Sequence, residues 1–366
     1  MKRNSFILLV ILVNFSVCSC QRGKITSVYN SNSIIKTIGN IDIIVDPNVE
    51  LMMILGRLAN VPPFTKNMVL QTEYLDKVDS YFSQYDFEEA VILVKKSGLN
   101  YHKLPEYGMY LTEDDTKYIM PVSNKHFIIS SGPAKNEGFY YFENNLKSIK
   151  EFRMKTNFDE FFRSNASYYE KMINLKLSYL QEKGLGAWIT SFYGKKSKNN
   201  PCLYLTELGG NFGISFRNKK GDTIPHAVVN TNTNEVTFMG NCAHEFSHPK
   251  TMDIVEKLYK NHIIQEYFDN QYYQNASVFS SMGYGSGKYV LNETVNQACA
   301  NKFLEKTYSK ELMNQFNNYF TETLKMKDMV QIADFLSNYE NNRKKYKTLN
   351  DFFPELEKFM VSIALD

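Results

Sequence analysis

Apolar residues recur every three or four positions over most of this 366-residue chain and alternate with polar ones in one central stretch. That periodicity predicts helices, then a few short strands, then helices again. IDIIVD at 41–46 reads as a strand. DPNVELMMILGRLANVPPF follows as a helix, with Asp46 a candidate N-cap, Pro47 at the first helical position and Pro62-Pro63 the stop. Further helical patterns lie around 70–83 and 86–97, residues 100–135 are mixed, and a long amphipathic stretch runs from Asn157 to Gly184. From Gly186 the period shortens. AWITSFYG, CLYLTEL (202–208), NFGISFRN (211–218) and PHAVVN (225–230) are β-rich runs divided by Gly, Lys and Asn turns, and NEVTFMG reads as a further strand. Helices are then expected over 238–248, 251–268, 290–307, 309–324, 327–342 and 348–363, the last capped by Thr348 or Asn350. Strands and helices do not alternate, which excludes a doubly wound sheet and predicts an α+β fold, mostly helical with a small mixed sheet.

The first twenty residues stand outside that pattern. Lys2 and Arg3 precede an apolar run from Phe6 to Val13, too short to span a bilayer. It ends in Val17-Cys18-Ser19-Cys20, which resembles a bacterial lipobox. The expected organisation is a lipoprotein signal peptide over 1–19, lipidation at Cys20, and a polar tether over 20–40. A helical N-terminal subdomain over 41–185 and a second subdomain over 186–366 follow. The membrane partner is then a lipid anchor alone, in the cell envelope (outer membrane, periplasmic or surface face).

Composition adds little. There are 42 Lys and Arg against 39 Asp and Glu, so net charge gives no case for nucleic acid. The 25 Tyr and 26 Phe suit a packed core or a surface facing peptide or carbohydrate. Cys202, Cys242 and Cys299 match no zinc-knuckle spacing and are expected as buried free thiols.

The chemistry concentrates in GNCAHEFSHP (240–249). On a helix, residues four apart share a face, so His244 and His248 can present imidazole nitrogens to one ion. Glu245 sits one position round, where its carboxylate can serve a metal-bound water as general base. Met239, Cys242, Ala243 and Phe246 make the rest of this helix apolar, and two imidazoles with a carboxylate are costly to bury there without a shared cation. Pro249 is expected to end the helix and turn the chain back towards a third ligand.

Zinc in a catalytic site takes three protein ligands. PKTMDI follows His248, so no histidine completes a metzincin pattern, and His262 is poorly spaced. Two glutamates remain as candidates. Glu266 has a close, gluzincin-like spacing but lies in a tyrosine-rich amphipathic stretch. Glu293 opens a helix whose inner face carries Ala298, Cys299 and Ala300, small enough for close approach to the metal helix, and is favoured. Asp253 and Glu256 read as solvent-facing charges. Tyr289, Tyr284 or, less readily, His226 are candidates to stabilise an oxyanion. Asn211 and Gly213, in NFGISF, mark an edge strand able to pair with an extended peptide.

These residues resemble a family of zincin-like bacterial lipoproteins catalogued as a domain of unknown function. The similarity rests on the H-E-F-x-H helix, the opening helix DPNVELMMILGRLANVPPF (46–64), GGNFG (209–213) and YVLNETVNQA (289–298). It implies a gluzincin-type metallopeptidase fold, with the sheet beside the H-E-x-x-H helix and Glu293 as third ligand. It implies no substrate. The chain departs from the family pattern at Pro249 and at Gln297, where an arginine is common. The functional expectation is a zinc-dependent peptidase acting on a peptide or protein. The alternative is a non-catalytic zinc-containing lipoprotein that binds peptide or glycan.

Overall fold

A computed structural model describes residues 32–97, 103–111, 146–194, 200–217 and 223–366. The signal peptide, Cys20 and most of the mixed 100–135 region lie outside these residues. The N-terminal part holds strands β1 (Ile34–Ile38) and β2 (Ile41–Val45). Helices α1 (Pro47–Leu58), α2 (Glu73–Phe82), α3 (Glu89–Ser97), α4 (Lys103–Tyr110), α5 (Leu146–Lys155), α6 (Phe158–Ser164) and α7 (Ala166–Lys183) follow. Helix α8 (Leu185–Tyr193) leads to β3 (Cys202–Thr206), β4 (Phe212–Arg217) and β5 (Thr223–Asn230). Next come α9 (Glu235–Tyr259), α10 (His262–Gln274), α11 (Ala276–Ser281), α12 (Gly287–Thr307), α13 (Lys310–Asn318), α14 (Met329–Asn341) and α15 (Leu349–Leu365).

The α+β expectation holds at this level: mostly helices around one small mixed sheet, in the order β1-β2-β3-β5-β4. β1 and β2 are antiparallel, β2, β3 and β5 run parallel, and β4 returns antiparallel to β5 with Gly213 opposite Ala227. β2 from the first half therefore pairs with β3 from the second, and one continuous core runs through both. β1 occupies part of the segment expected to be tether. The apolar residues of its Ile-Ile-Lys-Thr-Ile run pack against the core, which the polar residues around them conceal.

Local signals explain most elements. Asp46 caps α1 by accepting the N–H groups of Asn48 and Val49, and Thr348 and Asp351 form a capping box on α15. The long amphipathic stretch divides at Asn165 into α6 and α7, and α7 stops at Gly184, whose φ of 65° suits a residue without Cβ.

Two expected strands are helices. AWITSFY is rich in β-formers, yet Gly184 and Gly194 bracket it, and Trp188, Ile189, Phe192 and Tyr193 fall on one buried helical face. NEVTFMG begins α9, because Asn234 accepts the N–H of Thr237 at 2.9 Å and nucleates the turn. The three cysteines are buried thiols outside any disulfide, and no described helix is long and apolar enough to cross a membrane.

One buried acid ties the N-terminal helices to the sheet. Glu50 on α1 accepts the Tyr74 hydroxyl from α2, and that hydroxyl lies 2.8 Å from Tyr169 on α7. Thr206, at the end of β3, donates to the other Glu50 oxygen at 3.5 Å. Burial, against hydrogen bonds from Tyr74 and Thr206 and with the charges of Glu207 and Asp46, pushes Glu50 from 4.5 up to about 7. A carboxyl raised on folding favours the native state while protonated, so this contribution is complete below pH 4.5 and is lost as pH rises through 7. The wild-type stability relative to Glu50→Gln should therefore fall by about 3 kcal/mol across that window. Urea unfolding at several pH values measures it, and parallel curves for the two proteins would contradict it.

Candidate metal centre

α9 and α12 pack side by side, and the candidate chemistry lies between them. His244 and His248 project from one face of α9, their rings edge to face with centroids 4.7 Å apart and their Nε2 atoms 3.0 Å apart. Glu293, in the second turn of α12, crosses the gap. Its Oε2 is 3.1 Å from His244 Nε2 and its Oε1 is 3.7 Å from His248 Nε2, so one carboxylate touches both imidazoles. Glu245 Oε2 is 3.7 Å from His248 Nε2 and is buried without a hydrogen-bonding partner. One donor atom from each of His244, Glu245 and His248 lies within 4.8 Å of the other two.

A layer of amides and hydroxyls holds this arrangement. His248 Nδ1 faces the carboxamides of Asn292 at 3.2 Å and Asn296 at 2.9 Å. Asn292 also donates to Glu293 Oε1, and Thr251 donates to Asn296 Oδ1 at 2.6 Å. Tyr284, from the glycine-rich loop before α12, donates to Glu293 Oε2 at 3.3 Å. Tyr193 of α8 donates to Ser247, whose own hydroxyl returns to the Ala243 carbonyl. These neighbours fix the side chains that could grip an ion, as outer partners do in metal sites.

The electrostatics point the same way. Burial, reinforced by the Glu293 charge and opposed by His244, pushes Glu245 up to about 8. Burial pushes His248 down to about 4. Burial also opposes charge on His244, but the hydrogen bond and charge of Glu293, with Glu245 and Gln297, outweigh it and hold this ring above the ordinary imidazole range. Without a cation the crowded carboxylates thus favour protons in the cluster, on His244 and on Glu245. Two imidazole nitrogens, a carboxylate reaching both and an orphaned carboxylate oxygen fit a small divalent ion that would take the place of those protons.

Pro249 does not end the helix. α9 runs ten residues beyond it, to Tyr259, and the chain reaches Glu293 through α10 and α11 instead. Proline has no N–H to offer the Glu245 carbonyl four residues back, so that carbonyl loses its helical partner. β4 comes into the space beside it: a Cβ on Gly213 would stand 2.2 Å from the Glu245 carbonyl oxygen. Gly213 is the residue that lets the edge strand touch the backbone of the candidate base.

The chain belongs to the family described as Domain of unknown function (DUF4932). Its model matches residues 41–359, from β2 into α15. No curated protein and no solved structure matches the chain. DUF4932 membership thus spans both helices of the cluster and leaves their chemistry to be argued from the residues.

The other sequence candidates fall in different places. Glu266 is exposed on α10, and His262 is exposed at the start of that helix. Asp253 is exposed and Glu256 pairs with Lys288. His226 is buried in the sheet, stacked on Tyr204 with centroids 5.8 Å apart. Tyr289 is half-buried, its pKa raised by burial and by the Glu293 charge, whereas Tyr284 is the tyrosine that hydrogen-bonds Glu293. Asn211 Oδ1 accepts the Asn230 N–H at 2.8 Å, pinning the start of β4 to the end of β5. Asn292, Asn296 and Thr251 were missed. The signal available was NExxNQ on one helix, amides at i−1, i+3 and i+4 from the acid.

Gly213→Ala should force β4 and α9 apart and destabilise the fold by about 1–3 kcal/mol. Urea unfolding measures this directly, and an unchanged midpoint would show that the strand does not press on the Glu245 carbonyl.

Proposed function

We propose that this chain is a zinc-dependent metallopeptidase of gluzincin type, lipid-anchored at Cys20 in a bacterial cell envelope and acting on peptide or protein substrates. His244, His248 and Glu293 are the zinc ligands and Glu245 is the general base. The observation that carries this reading is Glu245 itself. It is a buried carboxylate with an unpartnered oxygen, next to two imidazoles that Glu293 already bridges. A site built for structure alone has no use for it.

Zinc, when bound, polarises a substrate carbonyl and acidifies a water molecule. The remaining work falls to the chain. Glu293 and the two imidazoles hold their donor atoms towards one point, with Asn292 and Asn296 fixing His248 and Tyr284 holding Glu293 Oε2. Glu245 Oε2 takes the proton of the attacking water and passes it to the leaving nitrogen, a role open to it once a cation beside it has displaced its own proton. Tyr289, on the same helix one turn before Glu293, is the candidate donor to the oxyanion. β4 is an edge strand of the described sheet and touches Glu245 through Gly213. An extended peptide adding to that edge would run beside the base, with Asn211 holding the strand's start.

Purified wild type should contain one zinc and cleave casein or a peptide library. Glu245→Gln should keep the zinc and lose at least ~100-fold in cleavage. Stoichiometric zinc with no cleavage by wild type would sink the peptidase reading while sparing the ligands. Glu293→Ala should lose zinc where Glu266→Ala does not, and the reverse would overturn the third ligand.

Protons supply a separate check. At pH 7, below the value of about 8 for metal-free Glu245, this carboxyl is mostly protonated, and a cation beside it expels the proton. Calorimetric zinc titrations in buffers of different ionisation enthalpy should therefore register about one proton fewer released by Glu245→Gln than by wild type. Equal release from both would remove Glu245 from the neighbourhood of the ion.

A further inference from the structure

The two carboxamides behind His248 have a direction, and it bears on which ring nitrogen carries the proton. Asn296 Nδ2 lies 2.7 Å from the main-chain carbonyl of Asn292, 2.9 Å from His248 Nδ1 and 3.1 Å from Asn292 Oδ1. Its Oδ1 accepts from Thr251 at 2.6 Å. Asn292 brings its own Nδ2 to 3.2 Å from the same His248 Nδ1 and to 3.2 Å from Glu293 Oε1. Asn292, Asn296, Thr251 and His248 are all buried, so these groups must satisfy one another.

The oxygen and nitrogen of an amide are told apart by their partners. Here the Asn292 carbonyl decides. It can only accept, and it belongs to the α12 backbone, so it does not turn away. An amide oxygen in the place of Asn296 Nδ2 would stand 2.7 Å from it with no proton between them. The group facing that carbonyl is therefore the NH2, and the same NH2 faces His248 Nδ1. An amide nitrogen accepts no hydrogen bond, so Nδ1 must be the acceptor. The ring proton is left on Nε2, on the side of the ion position.

Ligation through Nε2 needs the opposite tautomer. The same atoms can supply it if both amides turn over. Asn296 Oδ1 would then accept from His248 Nδ1–H and from Asn292 Nδ2. Asn296 Nδ2 would donate to Thr251, whose hydroxyl has the Ser247 carbonyl as its acceptor at 3.2 Å. The turn sets Asn296 Oδ1 against the Asn292 carbonyl, a contact that favours the first direction.

We propose that Asn296, fixed by the Asn292 carbonyl, holds His248 as its Nε2–H tautomer, and that an ion on Nε2 binds only as the Asn292–Asn296 pair turns over. Asn296 is a positioning residue, and it restrains ion binding. The tautomer stands on these hydrogen bonds alone, while the turn rests on the zinc reading of the site.

Histidine ¹⁵N spectra and zinc affinity test it. At neutral pH, His248 of metal-free wild type should show the Nε2–H pattern, and zinc should move its proton to Nδ1. An Nδ1–H pattern before zinc is added would overturn the proposal. Asn296→Asp replaces the donating NH2 by an acceptor of the same shape. It should give Nδ1–H without metal and bind zinc about tenfold more tightly, read by competition with a chromophoric chelator. Retention of Nε2–H in that variant would overturn the proposal. Asn296→Leu adds no charge and removes the restraint, so it should bind zinc at least as tightly as wild type. A residue that merely braces the ring would lose affinity in Asn296→Leu, and that loss would contradict the restraint. The wild-type pattern needs no variant, so the tautomer is decided even if neither substitution folds. A wild type that takes up no zinc would end the metallopeptidase reading and the turn with it, and the metal-free pattern would still decide the tautomer.

Discussion

A carboxylate from one helix lying against two imidazoles of another, away from water, is the constraint around which this half of the molecule is organised. Glu293 can reach both rings because α12 approaches α9 closely, with Ala298, Cys299 and Ala300 fully buried along its length. Such a cluster cannot be left neutral and satisfied by its own groups. Either protons or a cation must balance it, and the raised pKa values of His244 and Glu245 record that demand. The amides of Asn292 and Asn296 and the hydroxyls of Thr251 and Tyr284 are arranged about this charge. They have no comparable reason to be buried without it.

The sheet serves the same centre from the other side. β4 lies on α9, and the contact is intimate because two sequence features meet: a proline that frees the Glu245 carbonyl and a glycine that leaves room for it. Further out, Glu50 gathers α1, α2, α7 and the end of β3 into one buried network, so the N-terminal helices brace the strand next to β5. The division between an N-terminal and a C-terminal half is therefore soft, since β2 and β3 pair across it.

Much of this was legible in the sequence where a local cause decides the outcome. Asp46 before Pro47, Gly184 after an amphipathic run, and Thr348 three residues before Asp351 each announce a helix end that the structure has. The four residues of the cluster were legible too, because helical spacing and a small-residue face are local properties. Tertiary context explains the failures. AWITSFY and NEVTFMG have β-forming composition, but glycine brackets and an Asn234 cap turn them helical, and burial along one face holds them so. Pro249 read as a terminator because nothing in the sequence says that β4 lies beside the carbonyl it leaves free. The hydrogen bond from Tyr284 to Glu293 depends on a loop path that spacing does not reveal.

X-ray absorption at the zinc edge of metal-loaded protein tests the central claim most directly. Two imidazole nitrogens at about 2.0–2.1 Å and oxygen donors, with no sulfur, are the expected shell. Loss of one imidazole's scattering in His248→Ala would agree with it. Sulfur in the shell, or a spectrum that His248→Ala leaves unchanged, would contradict the assignment of the ion to His244, His248 and Glu293.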